Sequence, residues 1–359
     1  MRTIQQVFGL KNVPEEREVG VEIEMEGRGL PMDGLPIPWR GTADGSLRGH
    51  AVEYVMARPV ARGQALLESL SILQAHLKDC GARLVPSPRC GVHVHINCQH
   101  MTEKQVMCFA LLFYIVEEVL IKFCAPSRED NLFCLRAKDA TDVLRAVHKA
   151  QRTGDLRIVT NDRYRYASLN FSSLPKYGSL EFRALESPKD FQKVYDWAQL
   201  LLRVKDSSFE YGNTIHILES ISGMGGRSFF RHIMGDLASS FEEHDLDTLI
   251  MDGVRRVQHI VYTEWPDKKK EEPLGGWGIN AEHLQMNHRL RDELARMRNG
   301  PQVVVVGDRR YIQDRDGRWI PAPNLVENEV LEDDGEDEDD DWEEELEELF
   351  EEDEEEEDR

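Results

Sequence analysis

Carboxylate side chains recur at every second residue in the segment Val19–Glu26. Glu22, Glu24 and Glu26 alternate with apolar residues there. Alternation with a period of two predicts a β-strand, and it places the three carboxylates on one face, about 7 Å apart. Carboxylate oxygens are good ligands for divalent cations. The solvent-exposed face of an antiparallel strand has the same pattern, so this segment indicates a metal site only in combination with others.

A second segment, Cys90–Cys98, carries two histidines in the same arrangement. His93, His95 and Asn97 alternate with apolar residues, which predicts another strand with these side chains on one face. A single histidine is most often a structural residue, whereas two at this spacing favour a metal or phosphate site. Zinc bound by both histidines and one carboxylate is an alternative that the spacing leaves open.

Arginines and a further carboxylate occur later in the chain. Glu181 and Arg183 share a face in Leu180–Ala184, and Arg163 and Arg165 lie upstream. Because a guanidinium group binds phosphate or carboxylate through two parallel hydrogen bonds, these arginines favour an anionic substrate. An ordinary surface ion pair between Glu181 and Arg183 would give the same local pattern.

The acidic residues are concentrated at one end of the chain. The 359 residues carry a formal net charge of −23, and residues 327–359 hold 24 of the 67 acidic residues and one of the 44 basic ones. The remaining residues are balanced in charge, so charge gives no reason to expect a nucleic-acid partner. We expect the acidic tail to be disordered, because it has few apolar residues to bury.

Other features favour a cytoplasmic protein with a hydrophobic core. The six cysteines form no C-x-x-C pair, as expected for reduced thiols. The first ten residues lack the apolar region of a signal peptide. The longest apolar run, Val106–Val116, is much shorter than the roughly 20 residues of a membrane span, so no membrane partner is expected.

Apolar periodicity and stop signals predict the secondary structure. Residues 1–185 favour strands with three helices between them, and residues 186–300 favour helices. Thr102 is a good N-cap for the second helix, and Gly223–Arg227 is predicted to be a loop between helices. The expected helices are Gln64–Cys80, Thr102–Cys124, Ala140–Thr153, Lys189–Ser208, Ser228–Phe241, Leu246–Tyr262 and Ala281–Met297.

The motifs, taken in order, resemble the amidoligase family of the carboxylate–amine ligase superfamily, which includes glutamine synthetase and glutamate–cysteine ligase. Many members of that family come from bacteriophages and bacteria. The resemblance covers about residues 18–205. The motifs that carry it are Gly20–Glu24, Asp44–Leu47, Glu53 ahead of Arg58-Pro59, Gly91–Asn97, Ser127-Arg128 with Asn131, Leu169-Asn170 and Glu181–Arg183.

The resemblance implies an α+β fold. A curved antiparallel β-sheet with helices packed on its convex face would form a glutamine synthetase-like core, followed by a mainly helical C-terminal region. We therefore expect a catalytic domain over 1–205, a helical cap or extension over 206–300, a small β-hairpin unit over 301–326 and the acidic tail.

The resemblance also implies a ligand set on the concave face of the sheet. Glu22, Glu24, His93 and Glu181 would bind Mg²⁺ or Mn²⁺. Arg183 would bind the transferring phosphoryl group, Glu53 would be a further carboxylate, and His95 would line the substrate side. Weaker candidates for binding ATP or substrate are Arg128, Arg165, Asn97 and Asn170.

These implications predict an ATP-dependent carboxylate–amine ligase that forms an amide or isopeptide bond through an acyl phosphate. Its partners would be a carboxylate and an amine, each from a free amino acid, a peptide or a protein side chain. Two alternatives are open at this point. One is a divalent-metal hydrolase that uses the same histidine and glutamate face, and the other is a non-catalytic interaction protein with an acidic tail.

Overall fold

The computed structural model describes residues 2–266 and, further along the chain, the strands at 303–306, 309–313 and 319–321. The first of these parts contains the sheet and the helices that position the candidate site. The predicted helix Ala281–Met297 and the acidic tail lie outside the described residues.

Seven strands form one open sheet in which every neighbouring pair is antiparallel. The strand order is β2-β3-β1-β5-β7-β6, and the short strand β4 pairs with the C-terminal end of β1. The strands are β1 (Val19–Arg28), β2 (Trp39–Thr42), β3 (Ala51–Met56), β4 (Arg83–Val85), β5 (Gly91–Asn97), β6 (Leu169–Asn170) and β7 (Ser179–Glu186).

The alternation in β1 separates the two faces of this sheet. Val19, Val21, Ile23 and Met25 are at most 1% exposed and belong to the hydrophobic core. The glutamates between them point to the opposite face. The predicted α+β class, with an open antiparallel sheet and packed helices, is confirmed.

Nine α-helices accompany this sheet in residues 2–266, together with short 3-10 turns. Five predicted helices are found to within four residues at each end: Gln64–Cys80, Thr102–Cys124, Ala140–Thr153, Lys189–Ser208 and Leu246–Tyr262. The predicted helix Ser228–Phe241 is wrong in its second half. Its α-helix ends at Met234, before Gly235 with φ of +57°, and residues 235–241 form a 3-10 helix. The helices are α1 (Ile4–Phe8), α2 (Gln64–Asp79), α3 (Glu103–Leu120), α4 (Thr141–Thr153), α5 (Leu174–Tyr177), α6 (Gln192–Ser208), α7 (Ile215–Met224), α8 (Gly226–Met234) and α9 (Leu246–Val261).

The ends of two helices show what the local sequence specifies. Thr102 caps α3 as predicted, because its hydroxyl accepts from the backbone N–H of Gln105 and the Gln105 side chain accepts from the backbone N–H of Thr102. The predicted loop Gly223–Arg227 is much shorter than expected. Only Gly225, with φ of +79°, interrupts the helical backbone between α7 and α8.

Helix α3 lies between the sheet and α9. Phe109 and Phe113 pack on Phe182 of β7, with ring centroids 5.5 and 4.8 Å apart. Ile115 lies on the other side of the same helix and contacts the backbone of α9 at Gly253. Helix α9 therefore packs behind α3, away from the polar face of the sheet.

The chain divides into two compact units, Met1–Glu271 and Glu272–Arg359. In the second unit, β8 (Val303–Val306), β9 (Arg309–Gln313) and β10 (Trp319–Pro321) form an antiparallel sheet with β9 in the middle. These strands fall in the segment for which a hairpin unit is predicted.

Helices long and apolar enough to cross a membrane are absent from the described part of the chain.

The contact between α3 and α9 predicts a strong effect of a single methyl group. A Cβ added at Gly253 would lie 2.1 Å from the carbonyl oxygen of Ile115, so the Gly253→Ala backbone must shift. We expect this change to lower the free energy of unfolding by about 1–3 kcal/mol. Gly223→Ala is the matched control, because nothing lies within 4 Å of an added Cβ and alanine favours a helix. Urea unfolding of both variants measures the difference; equal stabilities would contradict this packing.

Candidate active site

Strand register brings the predicted site residues of three strands together. Glu22 of β1 lies opposite His93 of β5, and Glu24 of β1 lies opposite Glu53 of β3. Directly opposite residues on one face have Cβ atoms only about 5 Å apart. The carboxylates and the imidazole that were predicted separately therefore form one cluster on the polar face.

The same rows continue across β7 and β6. Glu181 of β7 lies opposite His95 of β5 on one side and opposite Asn170 of β6 on the other. The Asn170 side-chain amide donates to Glu181 Oε2 at 2.8 Å. Asn170 therefore fixes the orientation of a predicted metal ligand in this structure.

His93 is the centre of this cluster. Its side chain is 5% exposed, with Nδ1 3.1 Å from Glu22 Oε2 and 3.7 Å from Glu181 Oε1, and Nε2 3.6 Å from Glu24 Oε1. The side chains form two groups of potential metal ligands, Glu22-His93-Glu181 and Glu24-Glu53-His93. Within each group, the ligand atoms lie within 4.8 Å of one another. Both groups contain His93, so the imidazole lies between two candidate cation positions.

The carboxylates of the cluster carry more negative charge than nearby cations balance. Burial raises the pKa of Glu24. Burial and the charge of Glu22 raise the pKa of Glu53, and Asp44 adds to both effects. These shifts indicate that ionised Glu24 and Glu53 are insufficiently compensated.

Two other carboxylates of the cluster are ionised more readily. Burial opposes ionisation of Glu22, but His95 and His93 outweigh it and hold the Glu22 pKa well below its usual range. Burial also opposes ionisation of Glu181, whose pKa is lowered by His95 and Arg183. The cluster thus combines two carboxylates with lowered pKa values, Glu22 and Glu181, and two with raised pKa values, Glu24 and Glu53.

This donor set fits a divalent cation. Carboxylate oxygens and an imidazole suit Mg²⁺ or Mn²⁺, and Mn²⁺ accepts the nitrogen ligand most readily of the two. A bound cation would offset the charge that raises the pKa of Glu24 and Glu53. The cysteines near the cluster are buried and unpaired thiols, so the site resembles neither a thiolate zinc site nor a disulfide framework.

Two residues that were not assigned a role from the sequence orient the carboxylates. The backbone N–H of Gly91 donates to Glu24 Oε2 at 2.7 Å, and the Thr42 hydroxyl donates to Glu53 Oε2 at 2.7 Å. Gly91 begins the motif Gly91–Asn97, so the sequence contained a signal for it. Thr42 gave none, because its role depends on the pairing of β2 with β3.

A β-bulge aims Arg183 at the centre. The pairing of β7 with β5 shifts at His93, so that Arg183 and Ala184 together face this one residue. Such a bulge changes the direction of a side chain and bends the strand. Arg183 Nη1 lies 3.5 Å from His93 Nδ1 and forms an ion pair with Glu181. The guanidinium group therefore lies beside His93, the residue that the two ligand sets share.

His95 and Asn97 occupy the other end of β5. His95 Nδ1 is 3.1 Å from the Ser179 hydroxyl, and His95 Nε2 faces Glu22 Oε1 at 3.5 Å. That Nε2 atom is buried and has no hydrogen bond within the described residues. The Asn97 side chain donates to the carbonyl oxygen of Arg17, so the amide anchors the start of β1.

The remaining predicted arginines make their hydrogen bonds with groups other than the ligand side chains. Arg163 and Arg165 are exposed, and each guanidinium lies over the ring of the following tyrosine, 4.8 Å from its centroid. Each also donates to the hydroxyl of that tyrosine. Arg128 is 1% exposed and donates to the carbonyl oxygens of Ala184, Pro88 and Arg183. Its guanidinium supports the backbone at the bulge.

The fold and the site define a class, an antiparallel-sheet α+β protein with a carboxylate–histidine face and an adjacent arginine. Comparison with known families agrees with it. The model of a family described as "Putative amidoligase enzyme" matches residues 43–205, and the resemblance seen in the motifs is confirmed over this region. The match supports a ligase. It includes Glu53, His93, Glu181 and Arg183, and it begins after β1. None of the curated proteins matches the chain.

The contacts of Arg128 and Arg165 predict that the first residue matters for stability and the second does not. Arg128→Ala removes the donor to three carbonyl oxygens in a buried position, and we expect it to lower the free energy of unfolding by about 3 kcal/mol or more. Arg165→Ala is the control, because this exposed residue should change stability by less than about 0.5 kcal/mol. Urea unfolding measures both. A stable Arg128→Ala protein would show that the guanidinium is not required by the bulge.

Proposed function

We propose that this protein is an ATP- and divalent-metal-dependent carboxylate–amine ligase that forms an amide or isopeptide bond through an acyl phosphate. The observation that supports this most directly is the pair of ligand sets that share His93, with Arg183 beside them. The family match independently supports a ligase. The nucleotide, the metal and the acyl phosphate belong to the proposal.

Glu22, Glu24, Glu53, Glu181 and His93 would hold Mg²⁺ or Mn²⁺ at the two positions that share the imidazole. When bound, these cations would neutralise the triphosphate and stabilise the charge of the transferring phosphoryl group. Gly91, Thr42 and Asn170 each donate a hydrogen bond to one of these carboxylates, and these bonds hold the carboxylates in a fixed orientation.

The reaction requires activation, because a carboxylate is a poor electrophile towards an amine at neutral pH. In the first step, an oxygen of the substrate carboxylate attacks the γ-phosphorus of ATP, and ADP leaves. In the second step, the amine nitrogen attacks the carbonyl carbon of the acyl phosphate, phosphate leaves, and the nitrogen loses a proton. Both steps develop negative charge on oxygen, which a fixed cation stabilises.

Arg183 is the residue of this chain placed to stabilise that charge. Its guanidinium is largely buried, with 14% of the side chain exposed, and it is held by Glu181 and by the carbonyl oxygen of Phe133. A cation fixed in a partly dry site acts on the transition state without having to reorganise. His95 Nε2 faces Glu22 Oε1 at 3.5 Å, so the imidazole helps to orient this carboxylate.

The substrates in this proposal are a carboxylate and an amine, each from a free amino acid, a peptide or a protein side chain. The balanced charge outside the acidic tail gives no reason to expect a nucleic-acid partner. Tyr177 of α5 packs edge-on against His95, with ring centroids 5.7 Å apart, so this short helix borders the polar face beside the candidate site.

Ligand-induced stabilisation tests the proposal without knowledge of the substrates. Mn²⁺ with a non-hydrolysable ATP analogue at 100 times its Kd should stabilise the protein by about 2.7 kcal/mol, seen as a rise in Tm of several degrees. His93→Ala should abolish the rise, because His93 belongs to both ligand sets, and Glu53→Gln should reduce it. Glu26→Gln is the matched control on the same strand and face, since it belongs to neither set.

The outcomes separate the candidate functions. A rise with metal alone and none with nucleotide would favour a metal hydrolase, and no rise with either would favour a non-catalytic protein. The same result for His93→Ala and Glu26→Gln would contradict the assigned ligands.

Arg183→Ala should separate metal binding from phosphoryl transfer. We expect Mn²⁺ binding to persist, since Arg183 belongs to neither ligand set, while ATP consumption in the presence of acid and amine substrates falls by at least 100-fold. Trapping the acyl phosphate with hydroxylamine as a hydroxamate measures the first step directly. An Arg183→Ala protein with unchanged hydroxamate formation would exclude the proposed role of this residue.

A further inference from the structure

A buried carboxylate lies on the apolar side of the sheet, behind the candidate site. Glu117 of α3 is 2% exposed and follows Phe113 by one helical turn, on the helix face that packs on Phe182 of β7. It belongs to neither ligand set. A fully buried carboxylate is rare unless it is paired or has a structural or functional task.

Glu117 joins two separate segments of the chain. One carboxylate oxygen accepts a short hydrogen bond from the Ser168 hydroxyl, and the other accepts from the backbone N–H of Ala137 at 2.9 Å. Ser168 lies directly before β6, and Ala137 lies in the segment that precedes α4. Glu117 therefore connects α3 to both segments through a single carboxylate.

The neighbouring residue strengthens the same connection. Glu118 pairs with Arg136 Nη1 at 2.9 Å and with Arg256 of α9. Arg136 precedes Ala137, so the two adjacent glutamates hold one short segment by its backbone and by its side chain. The ion pair between Glu118 and Arg136 is buried, since these residues are only 7% and 4% exposed.

Both segments held in this way contact Arg183. They pair with each other, because Leu135 N–H donates to the Tyr166 carbonyl and Ser168 N–H donates to the Leu135 carbonyl, each at 2.7 Å. Arg183 N–H then donates to the carbonyl oxygen of Ser168 at 2.8 Å, and Arg183 Nε donates to that of Phe133 at 3.4 Å. The backbone and the guanidinium of Arg183 thus both depend on this pair of segments.

We propose that Glu117 is a positioning residue for Arg183, and that its ionised form holds the two segments that orient the guanidinium, whereas protonation weakens its connection to one of them. The inference concerns the position of Arg183, and it rests on the proposed function only for the consequence in phosphoryl transfer.

Hydrogen-bond chemistry gives the reason for this weakening. An ionised carboxylate accepts from both donors, whereas a protonated carboxyl has one oxygen that carries a hydrogen and donates. A proton on the oxygen that faces Ala137 would remove the acceptor of its backbone N–H, and a proton on the oxygen that faces Ser168 would require the Ser168 hydroxyl to become the acceptor. Burial raises the Glu117 pKa to about 7, so both forms occur near neutral pH.

The charges around Glu117 act on the same equilibrium. The hydrogen bonds from Ser168 and Ala137 favour the ionised form, as does Arg136, and Glu118 opposes it. Tyr114 of α3 also faces this carboxylate, and its hydroxyl is buried without a hydrogen bond in the described residues.

The ionised form of Glu117 orients Arg183 at higher pH, whereas the contribution of Glu117 to stability is larger at lower pH. The folded-state pKa of Glu117 lies above the ordinary value of 4.5, so the folded state binds this proton more tightly than the unfolded state does. The stabilising contribution of the protonated form is complete below the ordinary pKa and is lost as pH rises through about 7. Glu117→Gln lacks this contribution, so its Tm relative to the unchanged protein should rise between pH 4.5 and 8.

The Nε–Hε NMR signal of Arg183 tests the inference without nucleotide or substrate. The signal is assigned in ¹⁵N-arginine-labelled protein by its loss in Arg183→Lys. We expect it to shift with pH with a midpoint near 7, and this transition should disappear in Glu117→Gln. Transitions caused by other titrating groups would remain in that variant. Glu129→Gln, a change of the same kind at a more exposed glutamate, should keep the full transition.

A second variant serves if Glu117→Gln does not fold. Ser168→Ala removes a donor that favours the ionised form, so the midpoint should move to higher pH. Identical pH curves of the Arg183 signal in the unchanged protein, Glu117→Gln and Ser168→Ala would overturn the inference. Failure of the proposed function is a different result: it would appear as no Tm rise with Mn²⁺ and the ATP analogue, while the Arg183 signal still responded to Glu117.

Discussion

The pairing of β1 with β5 is the constraint on which the candidate site depends. It places Glu22 opposite His93, and because side chains alternate along both strands it also sets which face carries every other ligand. A slip by one residue would move Glu22 and Glu24 into the hydrophobic core and Val21 and Ile23 onto the polar face. The buried valines and isoleucines that fill the core therefore specify the ligand geometry as well as the fold.

The cluster is a compromise between binding and stability. Several carboxylates share a partly buried space, and burial raises the pKa of Glu24 and of Glu53, with the charge of Glu22 adding to the shift of Glu53. Hydrogen bonds from Gly91, Thr42 and Asn170 reduce the freedom of the carboxylates without removing their charge. Such an arrangement costs folding free energy when empty, and the cost becomes binding free energy once a cation arrives.

Sequence alone indicated the strands and most of the site, since the alternation in β1 and β5 shows which side chains share a face. It could not indicate which strands are neighbours, and so Thr42 was missed. The burial of Arg128 also depends on tertiary contacts, because its partners are the carbonyl oxygens of Pro88, Arg183 and Ala184, which are distant in the sequence. Helix α7 was not predicted, as the glycines near its end favoured a loop. Glu117 gave no signal, because a glutamate directly after an apolar run has the same sequence pattern whether it is buried or exposed.

The bulge at Arg183 has a consequence for how this sheet can change. Two residues of β7 share one partner, so the strand is one residue longer than a regular ladder requires. Loss of a single residue there would give straighter pairing and a more regular sheet, yet it would turn the guanidinium away from His93. Natural variation and protein engineering that select for stability alone would tend to remove this irregularity, and a straightened β7 in a relative would mark a chain that has kept the scaffold and abandoned the chemistry.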